Sequence, residues 1–453
     1  MQQIDFSQGS IRRRILAVAT PMLIAQLLNL LYNIVDRIYI GKIPGEGTLA
    51  LASIGLCFPF VTLITAFANL FGLGGAPLCA MARGKGNREG AQGIMVNAGF
   101  MLLLSGAVLT VLGIAFHRPL LYLFGASDAT YPYAEAYMTI YLLGTVFVMI
   151  GLGMNPFITS QGFGRTGMMT VGLGAVVNIV LDPILIFGLG MGVKGAAIAT
   201  VLARVAEMGI VVIWAHACRK KHVFLQGIYR TFRVPKQLAQ KVVRKGLPIF
   251  FNEFLWAGGI AALTQCYSTR GLEIVAGLNI SNALCNLLNV VFVALGSAVG
   301  ILIGQTLGAS MYEKAKKDAF HLMWFTGAIS LGLTVILVCV SGVFPKLYDT
   351  TAQVQQYGQW FIVITALFFP VQGFLNALYF TLRSGGKTLV TFLFDSVYTW
   401  LIPVPMALLL CHLTALPILA VYAIVQAADL IKVLVGYVLI RRGVWISNLV
   451  EEV

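Results

Sequence analysis

The sequence predicts an all-α polytopic membrane protein with twelve transmembrane helices, arranged as two six-helix lobes related by an internal repeat. The 453-residue chain is 58% hydrophobic and only 11% charged, whereas a typical soluble domain carries about 25% charged residues. Apolar runs long enough to cross the roughly 30 Å of bilayer hydrocarbon recur from end to end of the chain. The two halves of the chain also carry similar short motifs at a nearly constant offset.

The apolar runs define twelve predicted spans in chain order. Each run is continuous, which favours a helix, because a transmembrane β-strand alternates apolar and polar residues. The predicted spans cover approximately residues 14–38, 50–80, 93–116, 133–158, 168–188, 194–217, 246–268, 274–306, 319–342, 355–381, 388–410 and 414–440. The polar first residues lead through an arginine cluster directly into a full-length span, so we expect no cleaved signal peptide.

The basic residues predict the orientation of the spans. With the N-terminus inside, 23 of the 31 Lys and Arg residues lie in cytoplasmic segments and 5 lie in outside segments. This asymmetry follows the positive-inside rule and places both termini in the cytoplasm. It also explains the net charge of +14 without nucleic-acid binding, because the basic residues are scattered over short loops. We expect a multi-pass monomer in contact with the lipids of the plasma membrane, which is the inner membrane where there are two.

A basic segment at 218–245 divides the chain into a predicted N-lobe at 1–217 and a predicted C-lobe at 246–453, with the segment itself as a cytoplasmic linker. Each lobe holds six spans, and an even number gives both lobes the same orientation. The paired motifs, offset by about 222 to 227 residues, are Pro21 with Pro248, the loop at 83–91 with 307–315, Asn155 with Asn376, Gly164 to Thr166 with Gly386 to Thr388, and Pro183 with Pro405. Such parallel repeats are typical of transporters that rock two lobes around a central cavity.

The most informative polar residues are Asn178 and Asp182, which lie four residues apart inside an apolar run. That spacing is one helical turn, so both side chains point the same way. A carboxylate at that depth usually faces a cavity, a partner or an ion pathway. Asp36 is a second acid near the end of the first span. In the second half of the repeat, the position equivalent to Asp36 lies near Leu263 and the position equivalent to Asp182 is Val404, so neither acid is repeated. Two buried acids in one lobe indicate a cation or proton site.

Structural explanations of these residues stay open. Asp36 could pair with Arg37, although neighbours in sequence do not face each other on a helix. Asp182 could cap a helix end beside Pro183, and Asn178 could form an interhelical hydrogen bond. Other embedded acids have basic residues within reach, and for them we expect structural pairing: Glu207, Asp395 and Asp429, with Arg204 or Lys432.

The sequence contains no pattern for enzymatic or cofactor chemistry. The seven cysteines are widely spaced without a C-x-x-C pair, and the five histidines lack ligand spacing. The glycine-bearing loops lack the spacing of a phosphate-binding loop. No nucleophile lies near a base within the spans. We therefore expect a protein that is not an enzyme and holds no cofactor.

Several segments resemble the multidrug and toxic-compound extrusion (MATE) family. Asp36-Arg-Ile-Tyr-Ile-Gly41 resembles the signature of that family's first helix. Other segments resemble its fifth and sixth helices (178–183 and 190–200), the start of its seventh helix (Pro248 to Glu253, with Trp256) and the loop after its tenth helix (Arg383 to Thr388). The order and spacing of these segments extend the resemblance over essentially the whole chain.

The resemblance implies a secondary active multidrug exporter that exchanges Na+ or H+ for lipophilic, cationic organic compounds by alternating access. It implies that the cation or proton binds at Asp36, Asn178, Asp182 and Thr200. Carboxylate, amide and hydroxyl oxygens are hard donors that suit Na+, and the same carboxylates could instead take a proton, since burial disfavours their charged form. Thr200 slightly favours Na+, because its hydroxyl adds an oxygen ligand.

The resemblance also suggests secondary residues. Tyr137 and Tyr141 are candidates for lining the same cavity, with core packing as the alternative. Glu253 resembles a C-lobe acid and is a candidate contact for ion or substrate. Gln372, with Asn376 one turn on, stands where some relatives carry an aspartate, which disfavours a cation site in the C-lobe. Pro21 is either a kink that lets the first helix bend between states or a tolerated membrane proline.

The alternative function is a flippase for lipid-linked precursors, from the same superfamily of two-lobed exporters. Such proteins often line the cavity with basic residues that bind pyrophosphate, whereas the spans of this chain contain few cations. A passive channel is a third reading, and the repeat and the one-sided acids fit it less well than they fit exchange.

Overall fold

A computed structural model describes residues 11–84, 86–124, 126–217, 236–348 and 350–446. Within these residues nearly all of the backbone is helical and no β-strand is found. Most of the predicted linker, at 218–235, lies outside the described residues. Its last part, from 236 to 245, is helical and forms the beginning of the seventh span.

The described residues form sixteen α-helices. The first half of the chain contains α1 (Ile11–Gly41), α2 (Gly47–Gly84), α3 (Arg88–Leu123), α4 (Tyr131–Leu143), α5 (Thr145–Ser160), α6 (Gly164–Pro183) and α7 (Gly192–Ala217). The second half contains α8 (Lys236–Ser268), α9 (Leu272–Gly308), α10 (Tyr312–Ser341), α11 (Ala352–Ser384), α12 (Thr388–Phe392), α13 (Tyr398–Leu401), α14 (Pro403–Leu413), α15 (Ile418–Ala427) and α16 (Asp429–Arg441).

These helices confirm the prediction of twelve spans. Among the described residues, 11 helical stretches are long and apolar enough to cross a membrane, and α4 with α5 makes a twelfth span that is bent by 59°. Several helices run past the predicted spans. The 37 residues of α9 form a helix of about 55 Å at 1.5 Å per residue. This length exceeds the hydrocarbon thickness, so the helix continues beyond the hydrocarbon.

The chain divides into two compact units. Of the described residues, unit 1 contains those from Ile24 to Leu247, and unit 2 contains those before Ile24 and those from Pro248 onward. The first part of α1 therefore belongs to unit 2 and the rest to unit 1, while α8 passes from unit 1 to unit 2. The two crossing points lie beside Pro21 and at Pro248, a pair of prolines that the sequence repeat had already matched.

Unit 1 is held together by closely packed helices. Helix α2 packs on α3 and α5, α6 packs on α7, and α4 and α5 both contact α7. Small residues permit the closest approach, since a Cβ added at Gly72 of α2 would lie 2.6 Å from the carbonyl oxygen of Gly153 on α5. In a bilayer such small-residue contacts stabilise helix pairs through van der Waals packing, because lipid provides no hydrophobic driving force between helices.

Unit 2 packs around α11, which contacts α9, α10, α15 and α16. Two buried aromatic side chains of α11, Phe361 and Phe369, belong to separate apolar clusters on the same helix. The first cluster joins α11 to α8, α9, α14 and α15, and the second joins it to α9 and α10. The bundle around α11 is therefore the framework on which the polar residues of unit 2 are placed.

Two π-helical turns interrupt the regular helices. Pro183 has no backbone N–H to donate, so the α-helical hydrogen-bond pattern is broken at the end of α6. The next turn, Ile184–Gly188, is a π-helix, and the N–H of Leu189 donates to the carbonyl of Ile184 over 2.8 Å. In unit 2 a second π-turn, Leu393–Val397, joins α12 to α13. Such turns are frequent at functional sites, and each lies at or beside an embedded aspartate.

Candidate cation-binding site

The site in unit 1 is centred on the last turns of α6. Asn178 and Asp182 lie one turn apart and are fully buried, with exposed fractions of 0%. The side-chain amide of Asn178 donates to Oδ1 of Asp182 over 3.4 Å. This contact sets the orientation of the Asn178 amide. Because its nitrogen donates to the carboxylate, its oxygen is left to accept from another group. The predicted pair on one helix face is thus present in the structure.

Helix α1 brings the second acid to the same place. The carboxyl groups of Asp36 and Asp182 are close enough to share a hydrogen bond. Two carboxyl groups can hydrogen-bond only when a proton lies between them, since ionised carboxylates accept and do not donate. Arg37, the basic residue that acts on Asp36, has an exposed side chain. The structure therefore joins two acids that are 146 positions apart in the sequence.

Helices α4 and α7 complete the surroundings of this pair. Thr200 of α7 is 9% exposed, and its hydroxyl lies beside the hydroxyl of Tyr137 on α4. Tyr137 and Tyr141 are both buried and stack with ring centroids 6.1 Å apart. The negative charge of Asp36 also acts on Tyr137. Tyr137 is therefore a neighbour of Asp36, whereas Tyr141 faces the charges of Arg204 and Glu207. Both tyrosines are packed rather than open to solvent.

The polar atoms of the site are suited to a cation. Among the described residues, three buried oxygens here have no hydrogen-bond partner: Oδ1 of Asp36, Oδ1 of Asn178 and Oδ2 of Asp182. A buried acceptor without a partner costs free energy, and a cation that coordinates all three would remove that cost. Hard oxygen donors of this kind fit Na+, and the hydroxyl of Thr200, which lies beside Tyr137, is a candidate further donor. A single proton between the carboxyl groups is the other occupant that the geometry supports.

A buried ion pair on α7 lies one helical turn from Thr200 and contacts α1 one turn before Asp36. Arg204, four residues after Thr200, donates through Nη1 to both carboxylate oxygens of Glu207 at 2.9 and 2.8 Å. Its other terminal nitrogen donates to the hydroxyl of Tyr32, four residues before Asp36. The guanidinium also lies 5.4 Å from the centre of the Tyr32 ring. This contact fixes α1 against α7, and it confirms the structural pairing expected for Glu207.

The secondary residues predicted in the second half lie in a polar network of unit 2. Glu253, on α8, is half-buried and interacts electrostatically with Arg383 and Asp395. Gln372, on α11, donates to Oδ2 of Asp429 over 2.6 Å. The side-chain oxygen of Asn376 is buried and, among the described residues, has no hydrogen-bond partner. Their roles in binding ion or substrate remain predictions.

Sequence reasoning missed several members of both networks. Tyr32 escaped notice although it precedes Asp36 by one turn, and a check of positions four residues from each acid would have found it. Asn252 was seen only as part of a family signature. The structure shows that its amide donates to Oδ2 of Asp395 at 3.1 Å and accepts from Ser396 at 2.7 Å. Those partners lie 143 and 144 positions away, so no local pattern marks them.

Comparison with known proteins agrees with this architecture. Over 435 residues the chain is 24% identical to a protein of Bacillus subtilis (strain 168) named "Probable multidrug resistance protein YoeA", and the match covers 95% of this chain and 94% of the relative. A second relative, from Shewanella oneidensis, is named "FAD transporter" and is 27% identical over 78% of each chain. Among solved structures, one described as the outward-facing conformation of a MATE transporter of the MOP superfamily superposes with a TM-score of 0.89, at 22% identity and 98% coverage of both chains.

The twelve apolar spans of the described residues, counting the bent pair α4 and α5 as one span, and the pair of embedded acids in unit 1 define the class as a multi-pass membrane transport protein. The MatE family model matches residues 21–184 and 248–409, which is most of each half of the chain. The protein belongs to the MatE family. The resemblance drawn from the sequence motifs is therefore confirmed, and so is the all-helical fold of twelve spans.

Proposed function

We propose that the protein is a secondary active exporter that exchanges Na+ or H+ for lipophilic organic cations by alternating access. The observation that carries the proposal is the pair Asp36 and Asp182, whose buried oxygens lack partners among the described residues. A pair of this kind holds negative charge in a low-dielectric region, where a bound cation or proton gains most. The names of the relatives support export of small molecules.

The buried basic residues support the assignment of the cation site to Asp36 and Asp182, because their partners are other acids. Four basic side chains are buried among the described residues, and each faces an acid: Arg14 with Asp318 at 3.6 Å, Arg204 with Glu207 at 2.8 Å, Lys432 with Asp395 at 2.6 Å, and Arg383 with Glu253 through a charge interaction. Each buried basic side chain thus has an acid other than Asp36 or Asp182 as its partner. Among the described residues, Asp36 and Asp182 have no buried basic side chain as a partner, which leaves their negative charge for an exchangeable cation.

Coupling follows from what the cation does to three helices. A cation at Asp36, Asp182 and Thr200 draws α1, α6 and α7 together, and a proton between the carboxyl groups joins α1 to α6. Either occupant stabilises the arrangement in which these oxygens converge. A ligand shifts a conformational equilibrium only through its different affinity for the two states. Exchange thus requires that substrate favour the arrangement in which the cation is released.

The charge pattern favours cationic substrates over the alternative of lipid-linked precursors. A flippase that binds pyrophosphate needs basic side chains that are free to contact an anion, whereas the buried basic side chains of the described residues already face acids. The relative named for FAD, a phosphate-bearing compound, marks anionic substrates as the competing class to include in the test.

The test is efflux of a fluorescent lipophilic cation from proteoliposomes that contain the purified protein. Transport is driven in turn by a Na+ gradient and by a pH gradient, and FAD is assayed in parallel. We expect cation efflux under one of the gradients and its loss in Asp36→Asn and in Asp182→Asn, because each variant removes a charge that binds the coupling ion.

The matched control is Asp128→Asn, the same chemical change at an exposed position of unit 1. It should transport like the natural sequence. Undiminished ion-driven efflux in folded Asp36→Asn would refute the site. Transport of FAD without transport of cations would refute the substrate class and leave the ion site standing.

A further inference from the structure

Lys432 holds an ammonium group inside unit 2. Its side chain is 11% exposed, and Nζ lies 2.6 Å from Oδ1 of Asp395, whose side chain is 20% exposed. The ammonium also lies 5.3 Å from the centre of the Phe394 ring and 5.7 Å from that of Tyr398. A cation held by a carboxylate and by ring faces is favourably placed in a dry environment.

Asp395 is fully partnered through this contact. Lys432 donates to Oδ1, and the side-chain amide of Asn252 donates to Oδ2 at 3.1 Å. Ser396 fixes that amide by donating to its oxygen at 2.7 Å. The π-turn Leu393–Val397 carries both Asp395 and Ser396. The carboxylate thus has a charged donor on one oxygen and a neutral donor on the other.

Other acids surround the same ammonium. Asp429, three residues before Lys432 on α16, interacts with it electrostatically and accepts from Gln372 at 2.6 Å. Glu253 interacts with Asp395 and with Arg383. The charged groups that face one another here are Glu253, Arg383, Asp395, Asp429 and Lys432. Three carboxylates share two basic groups, so removal of Lys432 would leave strongly negative surroundings.

The embedded acids of the two units differ in the groups that contact their carboxylate oxygens. In unit 1 the one basic side chain of the described residues that acts on Asp36 and Asp182 is the exposed Arg37, and each of these acids keeps a buried oxygen without a hydrogen-bond partner. In unit 2 the ammonium of Lys432 lies where a mobile cation would sit on Asp395. An ammonium on a tether binds a carboxylate as Na+ does, but it cannot leave the protein when the conformation changes.

The internal repeat agrees with this contrast. Asp429 and Lys432 stand 225 residues after Arg204 and Glu207, an offset within the range of the repeat. Each half therefore carries an acid and a base three residues apart at the same place in its last span, in opposite order. In unit 1 the base is used by its own neighbour, Glu207. In unit 2 the base reaches Asp395 on another helix.

We infer that Lys432 is a tethered counter-cation that occupies the cation position of unit 2, so that an exchangeable cation binds in unit 1 alone. This inference rests on the proposed function, because it assigns the stoichiometry of the same exchange. Replacing Lys432 by a neutral residue leaves Asp395 as an uncompensated buried charge. That change should convert unit 2 into a site for a mobile Na+.

The test is binding of radioactive sodium to the purified full-length protein at alkaline pH, where protons compete least. The starting variant is Asp36→Asn/Asp182→Asn, which should bind no Na+ above background. Adding Lys432→Met should restore binding of about one ion per chain, since one uncompensated carboxylate is created. Adding Asp395→Asn to that variant should remove the binding again. Lys432→Arg, which keeps the tethered charge, should not restore it.

A second variant guards against misfolding, because an unpaired buried carboxylate destabilises a protein. Lys432→Gln keeps a donor for Asp395 without the charge, and it should also gain Na+ binding. A folded Lys432→Met or Lys432→Gln protein that binds no Na+ overturns the inference. So does Asp395-dependent Na+ binding while Lys432 is present, and this measurement needs no substitution of the lysine.

The two proposals can fail separately. If Na+ binding and ion-driven efflux by the natural sequence do not depend on Asp36, the proposed exchange site is wrong. The gain of Asp395-dependent binding in Lys432→Met still decides whether the lysine excludes a mobile cation. If efflux depends on Asp36 as expected and Lys432→Met gains nothing, only the inference about unit 2 falls.

Discussion

At the scale of single residues, embedded acids differ in what contacts their carboxylate oxygens. Glu207 receives both of its hydrogen bonds from Arg204, and Asp395 receives one each from Lys432 and Asn252. Asp36 and Asp182 each keep a buried oxygen without a partner among the described residues. Burial alone therefore does not mark the proposed site. Asp318 also keeps a buried oxygen without a hydrogen-bond partner, but it lies 3.6 Å from Arg14. Among the described residues, Asp36 and Asp182 combine such an oxygen with the absence of a buried basic partner.

Thr200 provides a test that separates Na+ from H+. Thr200→Val keeps the shape of the side chain and removes the hydroxyl oxygen that Thr200 would offer to Na+ in the proposed site. If Na+ is the ion, its binding should weaken about tenfold, which corresponds to ~1.4 kcal/mol. Titration of the purified protein with Na+ measures this change.

The control for this substitution is Thr200→Ser, which restores the hydroxyl and should bind Na+ like the natural sequence. A proton between Asp36 and Asp182 does not use the hydroxyl as a ligand. Na+-independent efflux that is unchanged in Thr200→Val would therefore contradict Na+ coupling and support H+ coupling.

Arg204 tests the structural ion pair next to the site. Arg204→Met leaves Glu207 as a buried carboxylate without its basic partner, and breaking such a pair costs about 3–5 kcal/mol. The double variant Arg204→Met/Glu207→Met removes both charges and should recover most of that loss. Chemical unfolding in detergent measures both effects. Equal stability of the single and double variants would show that the ion pair does not balance the charge of Glu207.

At the scale of helices, the packing of α7 against α6 sets the position of Thr200 relative to Asp182. Gly195 lies in the first turn of α7, where an added Cβ would be 2.7 Å from the carbonyl carbon of Leu185 and 2.9 Å from the nitrogen of Ile186. The π-turn after Pro183 provides those backbone atoms. A side chain at this glycine must therefore displace one helix from the other.

Gly195→Ala tests this contact. Overpacking of a tight core contact lowers the free energy of unfolding by about 1–3 kcal/mol. We expect this loss of stability in Gly195→Ala, together with weaker binding of the coupling cation. The matched control is Gly209→Ala on the same helix, where an added Cβ meets no atom within 4 Å. The control should be neutral or stabilising by about 0.5–1 kcal/mol, since alanine is the better helix former. Equal effects of the two substitutions would contradict the close approach at Gly195.

In the fourth span a glycine lies at a bend in the helix. Its helix bends by 59° at Gly144, where a Cβ would lie 2.6 Å from the Val201 side chain of α7. The bend lets α4 pack against α7, so that Tyr137 reaches Thr200. In unit 2 the corresponding tenth span, α11, has no such break and runs as one helix of 33 residues. The two halves therefore share a repeat and differ in the helices that carry their polar residues.

At the scale of the whole molecule, two helices each pass from one compact unit to the other. Helix α1 leaves unit 2 after Leu23, two residues beyond Pro21, and α8 enters unit 2 at Pro248. A proline inside a helix lacks one backbone hydrogen bond and allows bending there. In the proposed alternating access, these two crossings are where the helical backbone would bend.

Pro21→Ala is expected to slow transport while leaving equilibrium binding of the cation unchanged, because the substitution stiffens α1 without touching Asp36. Efflux rates from proteoliposomes and Na+ titration measure the two quantities separately. Pro59→Ala is the control, since Pro59 lies inside α2 within unit 1. Unaltered efflux in Pro21→Ala would assign Pro21 as a tolerated membrane proline, the alternative that the sequence left open.

The sequence by itself determined the class, the number of spans and the family, because these depend on composition, run length and the order of motifs. It also determined Asn178 with Asp182 as a pair, since four residues make one helical turn. Contacts between distant segments required the tertiary structure. The approach of Asp36 to Asp182, the bond from Asn252 to Asp395 and the bond from Lys432 to Asp395 join residues on different helices. The bend at Gly144 and the two π-turns depend on helix packing, which apolar periodicity does not record. The sequence therefore predicted which acids are embedded, and only the packing of helices decided which of them are neutralised.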